Sequence, residues 1–192
     1  MKRTMVRCLV AAFTAGALLG VGPSPSSAAA EELAAGTYYE TPVWNANSGK
    51  AMAILNASKA NGASAIQYDY TNNLVDNDVM RLEYEGTSNV VRIKPKHSYS
   101  PDGNVHNDMC LAVLNASFAL YQPIVQATCT YDDIDNDVWY EEYQGGNGSY
   151  SYYQYRNFRS HLCLVVKNAS TANYAQLIQY TCNGTSNSIW YY

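Results

Sequence analysis

One eight-residue phrase occurs three times in this chain, and the repetition constrains the fold more than any other feature. The copies are AMAILNAS at 51–58, CLAVLNAS at 110–117 and CLVVKNAS at 163–170. A glutamine lies nine residues after each copy, at Gln67, Gln126 and Gln179, and an asparagine lies six residues before each, at Asn45, Asn104 and Asn157. Matches at fixed offsets predict three structural units, at about 36–89, 90–149 and 150–192.

The segments between the phrases have the composition of short β-strands. RIKPKHSY, SYYQYRNF and LIQYTC are rich in β-branched and aromatic residues and are bounded by Asn, Gly and Ser. No window after the first thirty residues shows a sustained helical stripe of apolar residues. Three equal β units cannot each bury an apolar face alone, so they must share one core. We therefore predict a single all-β domain over residues 31–192.

The first thirty residues have the order of a secretory signal. Lys2, Arg3 and Arg7 precede an apolar run at 8–21, and a Pro/Ser stretch then ends in three alanines at 28–30. This pattern predicts a cleavable signal peptide at 1–30, because the apolar run is too short to span a bilayer. We expect the mature protein to be secreted into the extracellular space.

Charge argues against two classes of partner. Residues 1–30 carry three basic and no acidic residues, so their removal changes the formal charge from −4 to −7. An acidic domain lacks the basic face that phosphate backbones and anionic membranes require. The sequence therefore predicts no nucleic-acid partner and no membrane partner.

The cysteines indicate two disulfides. Of five cysteines, Cys8 lies in the signal segment, and the remaining four allow three pairings. The repeat selects Cys110–Cys129 and Cys163–Cys182, because both pairs are nineteen residues apart and each lies within one unit. The first unit lacks both partners and has Ala51 and Tyr70 at these positions. A structural zinc site is a weaker alternative, since the chain has no C-x-x-C pair.

The repeated pattern resembles a known family. The pattern consists of Cys-Leu-x-Val, a small-residue turn, Val/Ile-Gln-aromatic-x-Cys and Asn-x-x-Trp. It is written three times with substitutions, most clearly in CLVVKNASTANYAQLIQYTCNGTSNSIWYY at 163–192. This pattern is similar to the ricin-B-type lectin domain, particularly to versions from secreted actinobacterial proteins. The resemblance implies a β-trefoil, with twelve short strands in three pseudo-symmetric units, and a monomeric, non-catalytic module that binds carbohydrate.

The resemblance also implies where sugars would bind. In the family, an aspartate two residues after the first cysteine, an aromatic residue before the second and an asparagine form a shallow site in each unit. Here the aspartate positions hold Ala53, Ala112 and Val165, and the aromatic positions hold Tyr68, Ala127 and Tyr180. The asparagines remain as Asn77, Asn136 and Asn187. The candidate carbohydrate-binding residues are therefore Tyr68, Asn77, Tyr180, Asn187 and Asn136, in partly degenerate sites.

Several of these residues have simpler interpretations. Tyr68 and Tyr180 could be half-buried tyrosines that cap the core, and the three asparagines could be turn residues bonded to their own backbone. Met80, Trp139 and Trp190 are predicted to be core residues, one per unit. The repeated Asn-Ala-Ser matches a glycosylation sequon, but its recurrence at one position favours a shared loop conformation.

A calcium site at Asp132–Asp137 is a further hypothesis. DDIDND places carboxylates at alternate positions, but an EF-type loop would require a glycine and a glutamate where Val138 and Gln144 stand. The chain has no catalytic constellation and no cofactor-binding motif, which favours a non-enzymatic protein. The alternative function is a trefoil scaffold that binds or inhibits a protein partner, with sugar binding lost.

Overall fold

The computed structural model describes residues 38–72, 75–85, 89–99, 108–131 and 135–192. The predicted signal peptide at 1–30 lies outside these residues. The described ranges contain strands and short 3-10 turns, so the all-β prediction is confirmed. No helix in those ranges has the length and hydrophobicity that a membrane span requires.

Thirteen strands are found in the described residues, one more than the twelve expected. They are β1 Tyr38–Thr41, β2 Trp44–Asn45, β3 Ala51–Ile54, β4 Ala65–Tyr68, β5 Met80–Tyr84, β6 Val90–Pro95, β7 Met109–Val113, β8 Ile124–Thr128, β9 Val138–Gly146, β10 Ser151–Asn157, β11 Cys163–Val166, β12 Leu177–Tyr180 and β13 Trp190–Tyr191. The additional strand arises because β1 and β2 are separated by Pro42 and Val43. Proline has no backbone N–H to donate, which interrupts a ladder at that point.

The strands form a closed barrel and three hairpins. Antiparallel pairing runs β1–β5–β6–β9–β10–β13–β2, and the ring closes because β1 and β2 are consecutive in the chain. The hairpins β3–β4, β7–β8 and β11–β12 each follow one barrel strand of their unit. This arrangement is the β-trefoil, and it places one hairpin at each third of the molecule.

The core lies inside the barrel and beneath the hairpins. Met80, Trp139 and Trp190 occupy equivalent positions and are fully buried, as the sequence predicted. The indole Nε1 of Trp139 donates to the carbonyl oxygen of Leu111 at 2.9 Å, and that of Trp190 donates to Leu164 at 3.0 Å. Each tryptophan therefore ties a barrel strand to the hairpin of its own unit.

Short 3-10 turns follow the first strand of each hairpin. They are Leu55–Ala57, Leu114–Ala116 and Lys167–Ala169. The described residues also contain the 3-10 turns Lys96–Ser98 and Ser186–Ser188. The asparagine of each Asn-Ala-Ser has a φ of 56°, and the alanine after it has a φ of 49°. Asparagine tolerates this left-handed region better than most residues. The repetition of the sequon is therefore explained by the turn.

Three buried glutamines connect neighbouring units. The Nε2 of Gln67 donates to the carbonyls of Ser170 and Ala172 at 2.8 and 2.9 Å. Equivalent bonds join Gln126 to Ser58 and Ala60 (2.7 and 2.9 Å), and Gln179 to Ser117 and Ala119 (2.9 and 2.6 Å). In each case the glutamine of one unit binds the loop that follows Asn-Ala-Ser in another unit. The first unit binds the loop of the third, the third binds the loop of the second, and the second binds the loop of the first. The candidate sites form where these loops meet the hairpins.

Both predicted disulfide pairs are bonded in the structure. Cys110 joins Cys129 and Cys163 joins Cys182, each within one unit. In both cases the bond links the first strand of a hairpin to the segment just after its second strand.

Candidate functional site

The outer face of the β11–β12 hairpin forms the base of one candidate site. In this hairpin Cys163 pairs with Tyr180 and Val165 pairs with Ile178. Because side chains alternate along strands, these four residues share one face, while Leu164, Val166 and Leu177 point into the core. They form a small apolar cluster with Cys182, separate from the main core.

A shallow pocket of about 200 Å³ lies over this face. Its lining residues include the predicted site residues Tyr180 and Asn187, and none of them is charged. They are Tyr121, Val165, Val166, Asn168, Ala169, Ile178, Tyr180, Asn183, Thr185 and Asn187. The structure therefore brings the third unit's predicted tyrosine and asparagine together in one concavity.

Tyr180 is paired with a tyrosine from the preceding unit. The Tyr121 hydroxyl donates to that of Tyr180 at 3.3 Å, and the ring centroids are 4.9 Å apart with a tilt of 47°. The hydrogen bond to Tyr180 is the largest cause of the raised pKa of the Tyr121 hydroxyl. Tyr121 is 56% exposed, whereas Tyr180 is half-buried. The loop held by Gln179 positions Tyr121 here.

A second tyrosine pair has the same geometry at the next boundary between units. The Tyr174 hydroxyl donates to that of Tyr68 at 3.4 Å, with centroids 4.9 Å apart and a tilt of 53°. Tyr174 is 59% exposed, and Tyr68 is half-buried. Below Tyr68, Ala53 pairs with Ile66 on the outer face of β3–β4.

The third boundary has no such pair. Ala127 occupies the position of Tyr68 and Tyr180, and Gly62 occupies that of Tyr121 and Tyr174. Gly62 donates its N–H to the carbonyl of Gln126 at 2.8 Å, as the two tyrosines do to their own glutamines, so the backbone is equivalent. Asn136 therefore has no tyrosine platform beside it at this boundary.

The three predicted asparagines anchor turns within their own units. The Nδ2 atoms of Asn77, Asn136 and Asn187 donate to the carbonyls of Ile54, Val113 and Val166 at 3.1, 3.0 and 3.0 Å. In the third unit the Oδ1 of Asn187 also accepts a 2.7 Å bond from the Thr185 hydroxyl. These bonds reach the end of the first hairpin strand, so each asparagine positions the rim of its hairpin.

Two nearby carboxylates are engaged in other contacts. Asp69, adjacent to Tyr68, accepts hydrogen bonds from the Lys50 ammonium and from Asn173 Nδ2, and the Lys50 bond is the largest cause of its lowered pKa. Asp78 is buried and accepts bonds from the backbone and hydroxyl of Thr71, both at 3.0 Å. Both carboxylates therefore already have partners within the protein.

The calcium hypothesis falls partly outside the described residues. Asp132 and Asp133 belong to the undescribed segment. Asp137 is 1% exposed and accepts bonds from the N–H and hydroxyl of Thr130 at 2.6 and 3.0 Å. Burial is the largest cause of the raised pKa of Asp137, which disfavours an exposed cation site at this carboxylate.

The candidate residues predicted from the sequence include Tyr68 and Tyr180 but not their ring partners, Tyr174 and Tyr121. Both missed residues stand four positions after the serine of Asn-Ala-Ser, where the first unit has Gly62. Alignment of the units would have shown their equivalence. It would not have shown that each ring lies against the neighbouring unit, because that depends on the loop tethers.

Comparison with known proteins supports this architecture. Residues 135–192 match the family model described as ricin-type beta-trefoil lectin domain-like. The designed 3-fold symmetric protein ThreeFoil has a TM-score of 0.66 and 32% identity, over 80% of this chain and 95% of that chain. No curated protein sequence gives a significant match.

Two natural proteins share the fold at lower identity. The Rhizoctonia solani agglutinin has a TM-score of 0.62 and 18% identity, over 87% of this chain and 96% of that chain. The exo-beta-1,3-galactanase 1,3Gal43A from Clostridium thermocellum has a TM-score of 0.65 and 22% identity, over 79% of this chain and 29% of that chain. Given the three in-register units, the closed barrel and the identity to ThreeFoil, the chain belongs to the ricin-type β-trefoil lectin-domain family.

Proposed function

We propose that this protein is a secreted, non-catalytic lectin module that binds neutral glycans at its two tyrosine-paired sites. The observation that carries the proposal is the uncharged pocket over β11–β12, which is bounded by Tyr121 and Tyr180. The equivalent arrangement of Tyr68 and Tyr174 forms the second site.

The chemistry of a sugar suits such a pocket. A pyranose presents C–H groups on one side and directional hydroxyls around its rim. Tyrosine rings provide flat apolar area for the C–H side, and amide and hydroxyl groups can bond the rim. In the pocket over β11–β12 these polar groups belong to Asn168, Asn183 and Thr185.

Two sites on one rigid trefoil favour polymeric ligands. A single shallow site without a charged acceptor binds weakly, because hydrogen bonds to charged groups contribute about 1.5–3 kcal/mol each. When two sites engage one polysaccharide, the second contact becomes intramolecular and the overall affinity rises. We therefore expect retention on polymers to exceed binding of free monosaccharides.

Retention on insoluble glycans tests the proposal. The purified protein should be retained on at least one of galactan, xylan, chitin or a galactose resin. The double variant Tyr68→Ala/Tyr180→Ala should lose retention, because it removes one ring from each pair. Tyr143→Ala is a matched control, since Tyr143 is 64% exposed and contacts Tyr153 away from both pairs. A folded wild-type protein that no glycan retains, or a double variant that still binds, would contradict the proposal.

An aromatic surface favours a protein partner as a second candidate function. Five rings form a continuous cluster beside β2, β10 and β13: Trp44, Tyr70, Tyr150, Tyr152 and Tyr191. Aromatic residues are enriched at protein interfaces. This function predicts that a protein partner co-purifies with the protein. Tyr150→Ala should abolish this co-purification, whereas free sugars and Tyr180→Ala should not affect it. Loss of the partner on adding free sugar would contradict it.

A further inference from the structure

The two tyrosine pairs bring the hydroxyl ends of their rings together at the surface. In the Tyr121–Tyr180 pair the hydroxyl oxygens are 3.3 Å apart and the ring centroids are 4.9 Å apart. In the Tyr68–Tyr174 pair the same distances are 3.4 and 4.9 Å. Because the oxygens are closer than the ring centres, the two rings converge at their hydroxyl ends. The ortho carbons, which flank each hydroxyl, therefore approach the ortho carbons of the partner ring.

The backbone holds the more exposed ring of each pair in place. Tyr121 and Tyr174 both have a φ of 65°, in the left-handed region that a bulky residue rarely occupies. The first unit has Gly62 at the equivalent position, with a φ of 86°. The N–H groups of the two tyrosines donate to the carbonyls of Gln179 and Gln67, both at 3.0 Å. Such a conformation persists only where the surrounding structure fixes it, so each ring is oriented before any reaction.

This arrangement suits the oxidative coupling of two phenols. One-electron oxidation removes an electron and the hydroxyl proton from a tyrosine, and the unpaired electron is shared between the oxygen and the ortho carbons. Two such radicals combine through a carbon–carbon bond between ortho carbons. Each coupled ortho carbon then releases its hydrogen as a proton and its oxygen takes up a proton from water, which restores both phenols. The product is dityrosine.

The pairs already resemble this product. Two directly joined phenyl rings have centroids separated by two ring radii and one bond length, slightly less than the distance in each pair. Their planes are twisted, and the planes of the two pairs are inclined at 47° and 53°. Reactants that are held close to the reacting geometry combine much faster than free reactants do.

We propose that the Tyr121–Tyr180 and Tyr68–Tyr174 pairs are sites of dityrosine cross-linking, with a peroxide as the oxidant and a haem peroxidase as its catalyst. Each cross-link removes two electrons and two protons from the protein, and these reduce one molecule of hydrogen peroxide to two molecules of water. Tyr121 is 56% exposed and Tyr174 is 59% exposed, so both are accessible to oxidation. The inference does not depend on glycan binding.

The cross-links join units that the disulfides leave separate. Each disulfide lies within one unit, and the first unit contains no cysteine. Tyr68–Tyr174 connects the first unit to the third, and Tyr121–Tyr180 connects the second to the third. Because a cross-link restricts the unfolded chain, the oxidised protein should unfold at a higher guanidinium concentration than the untreated protein.

Treatment of the purified protein with hydrogen peroxide and a haem peroxidase tests the inference. In dilute solution, rings held together react faster than rings on separate molecules. Dityrosine fluorescence should therefore appear in protein that still migrates as a monomer, and the intact mass should fall by two hydrogen atoms per cross-link. Mass spectrometry of proteolytic peptides should locate the cross-links between Tyr121 and Tyr180 and between Tyr68 and Tyr174.

Phenylalanine substitutions identify the reacting rings. Tyr121→Phe and Tyr174→Phe keep the ring but remove the hydroxyl from which the radical forms. Each should abolish the cross-link of its own pair and leave the other, and the double variant should lose most of the monomer's dityrosine fluorescence. Tyr150→Phe is the control, because Tyr150 is 41% exposed and its ring lies 5.0 Å from Tyr191 but edge-on, at 66°. That variant should leave both cross-links unchanged.

Four results would overturn the inference. They are the absence of dityrosine, dityrosine that joins only separate molecules, and monomer fluorescence that the double variant, folded by circular dichroism, retains. The fourth is a cross-link between Tyr150 and Tyr191 in equal yield, because proximity without the converging hydroxyls would then account for the coupling. Failure of the protein to bind any glycan would overturn the proposed function and leave this inference standing.

Discussion

Glu141 places a carboxylate among tyrosine hydroxyls inside the protein. The residue is 8% exposed, and its carboxylate accepts bonds from Tyr84, Tyr155 and Tyr192 at 2.5, 2.9 and 3.0 Å. Burial raises the pKa of Glu141, and the three hydrogen bonds oppose that shift without cancelling it. Glu142 faces the other way and pairs with Arg156, as strand alternation predicts for this acidic pair.

This shift predicts a pH dependence of stability. A raised folded-state pKa gives a contribution that is complete below the unfolded value of about 4.3 and is lost as pH rises through the folded value. The difference in unfolding free energy between wild type and Glu141→Gln should therefore fall as pH rises from about 4. Urea denaturation between pH 4 and 8 measures it.

Glu142→Gln is the control for this pH dependence, because its carboxylate lies beside Arg156 at the surface. The difference in unfolding free energy between wild type and Glu142→Gln should not fall with pH as the difference for Glu141→Gln does. A flat difference between wild type and Glu141→Gln across the same range would show that the buried carboxylate does not control stability.

For individual residues, the chemical type of the side chain at each candidate position was easier to predict than the orientation of that side chain. The loss of the aspartates at Ala53, Ala112 and Val165 is visible in the sequence. The sequence did not show that the amide of Asn187 bonds the carbonyl of Val166, because that contact forms only when the hairpin folds against the turn. Orientation of a polar side chain depends on neighbours that are distant in the chain.

Among the elements, the loops depend on a neighbouring hairpin. Gln126, on β8, is fully buried and donates to two carbonyls of the first unit's loop. Gln126→Met keeps the length but leaves both carbonyls without this donor. Each lost bond costs about 1 kcal/mol, so a decrease in unfolding free energy of roughly 2 kcal/mol is expected by urea denaturation.

An exposed glutamine provides the comparison for Gln126→Met. Gln144 lies at the surface and donates one long bond to the carbonyl of Glu142, so Gln144→Met should change stability by less than about 0.5 kcal/mol. Equal effects of the two substitutions would mean that the loop tether contributes little.

The strands themselves were largely predictable, apart from the first. β-branched and aromatic residues bounded by turn residues indicate the positions of β6, β10 and β12. Division of the first barrel strand at Pro42 was not anticipated, although proline is the physical reason for it. The partner of each loop was not predictable from local pattern, since adjacency in a closed barrel is set by the whole fold.

For the whole molecule, the shared core predicts one cooperative transition. Cys110→Ala/Cys129→Ala removes a loop constraint of nineteen residues, which the chain-entropy relation values at about 3 kcal/mol. Unfolding by guanidinium should remain a single transition with a lower midpoint, because each unit also ties the loop of its neighbour.

The first unit already lacks the disulfide that this variant removes from the second unit. It has Ala51 and Tyr70 at the two cysteine positions and still forms its hairpin and barrel strands. A second, separate transition in the variant, seen by fluorescence or circular dichroism, would show that the units unfold independently.

The tyrosine pairs show that the three units differ in pairs of residues that meet at the boundary between two units. We call each such boundary a junction. Tyr121 and Tyr180 are 59 residues apart, and Tyr68 and Tyr174 are 106 apart, yet each pair occupies one junction. Both members are tyrosines at two junctions and both are small at the third, where Gly62 and Ala127 meet. Protein engineers who randomise this scaffold should therefore vary residues 62 and 127 together, because grafting an entire repeat would change half of two candidate binding surfaces at once.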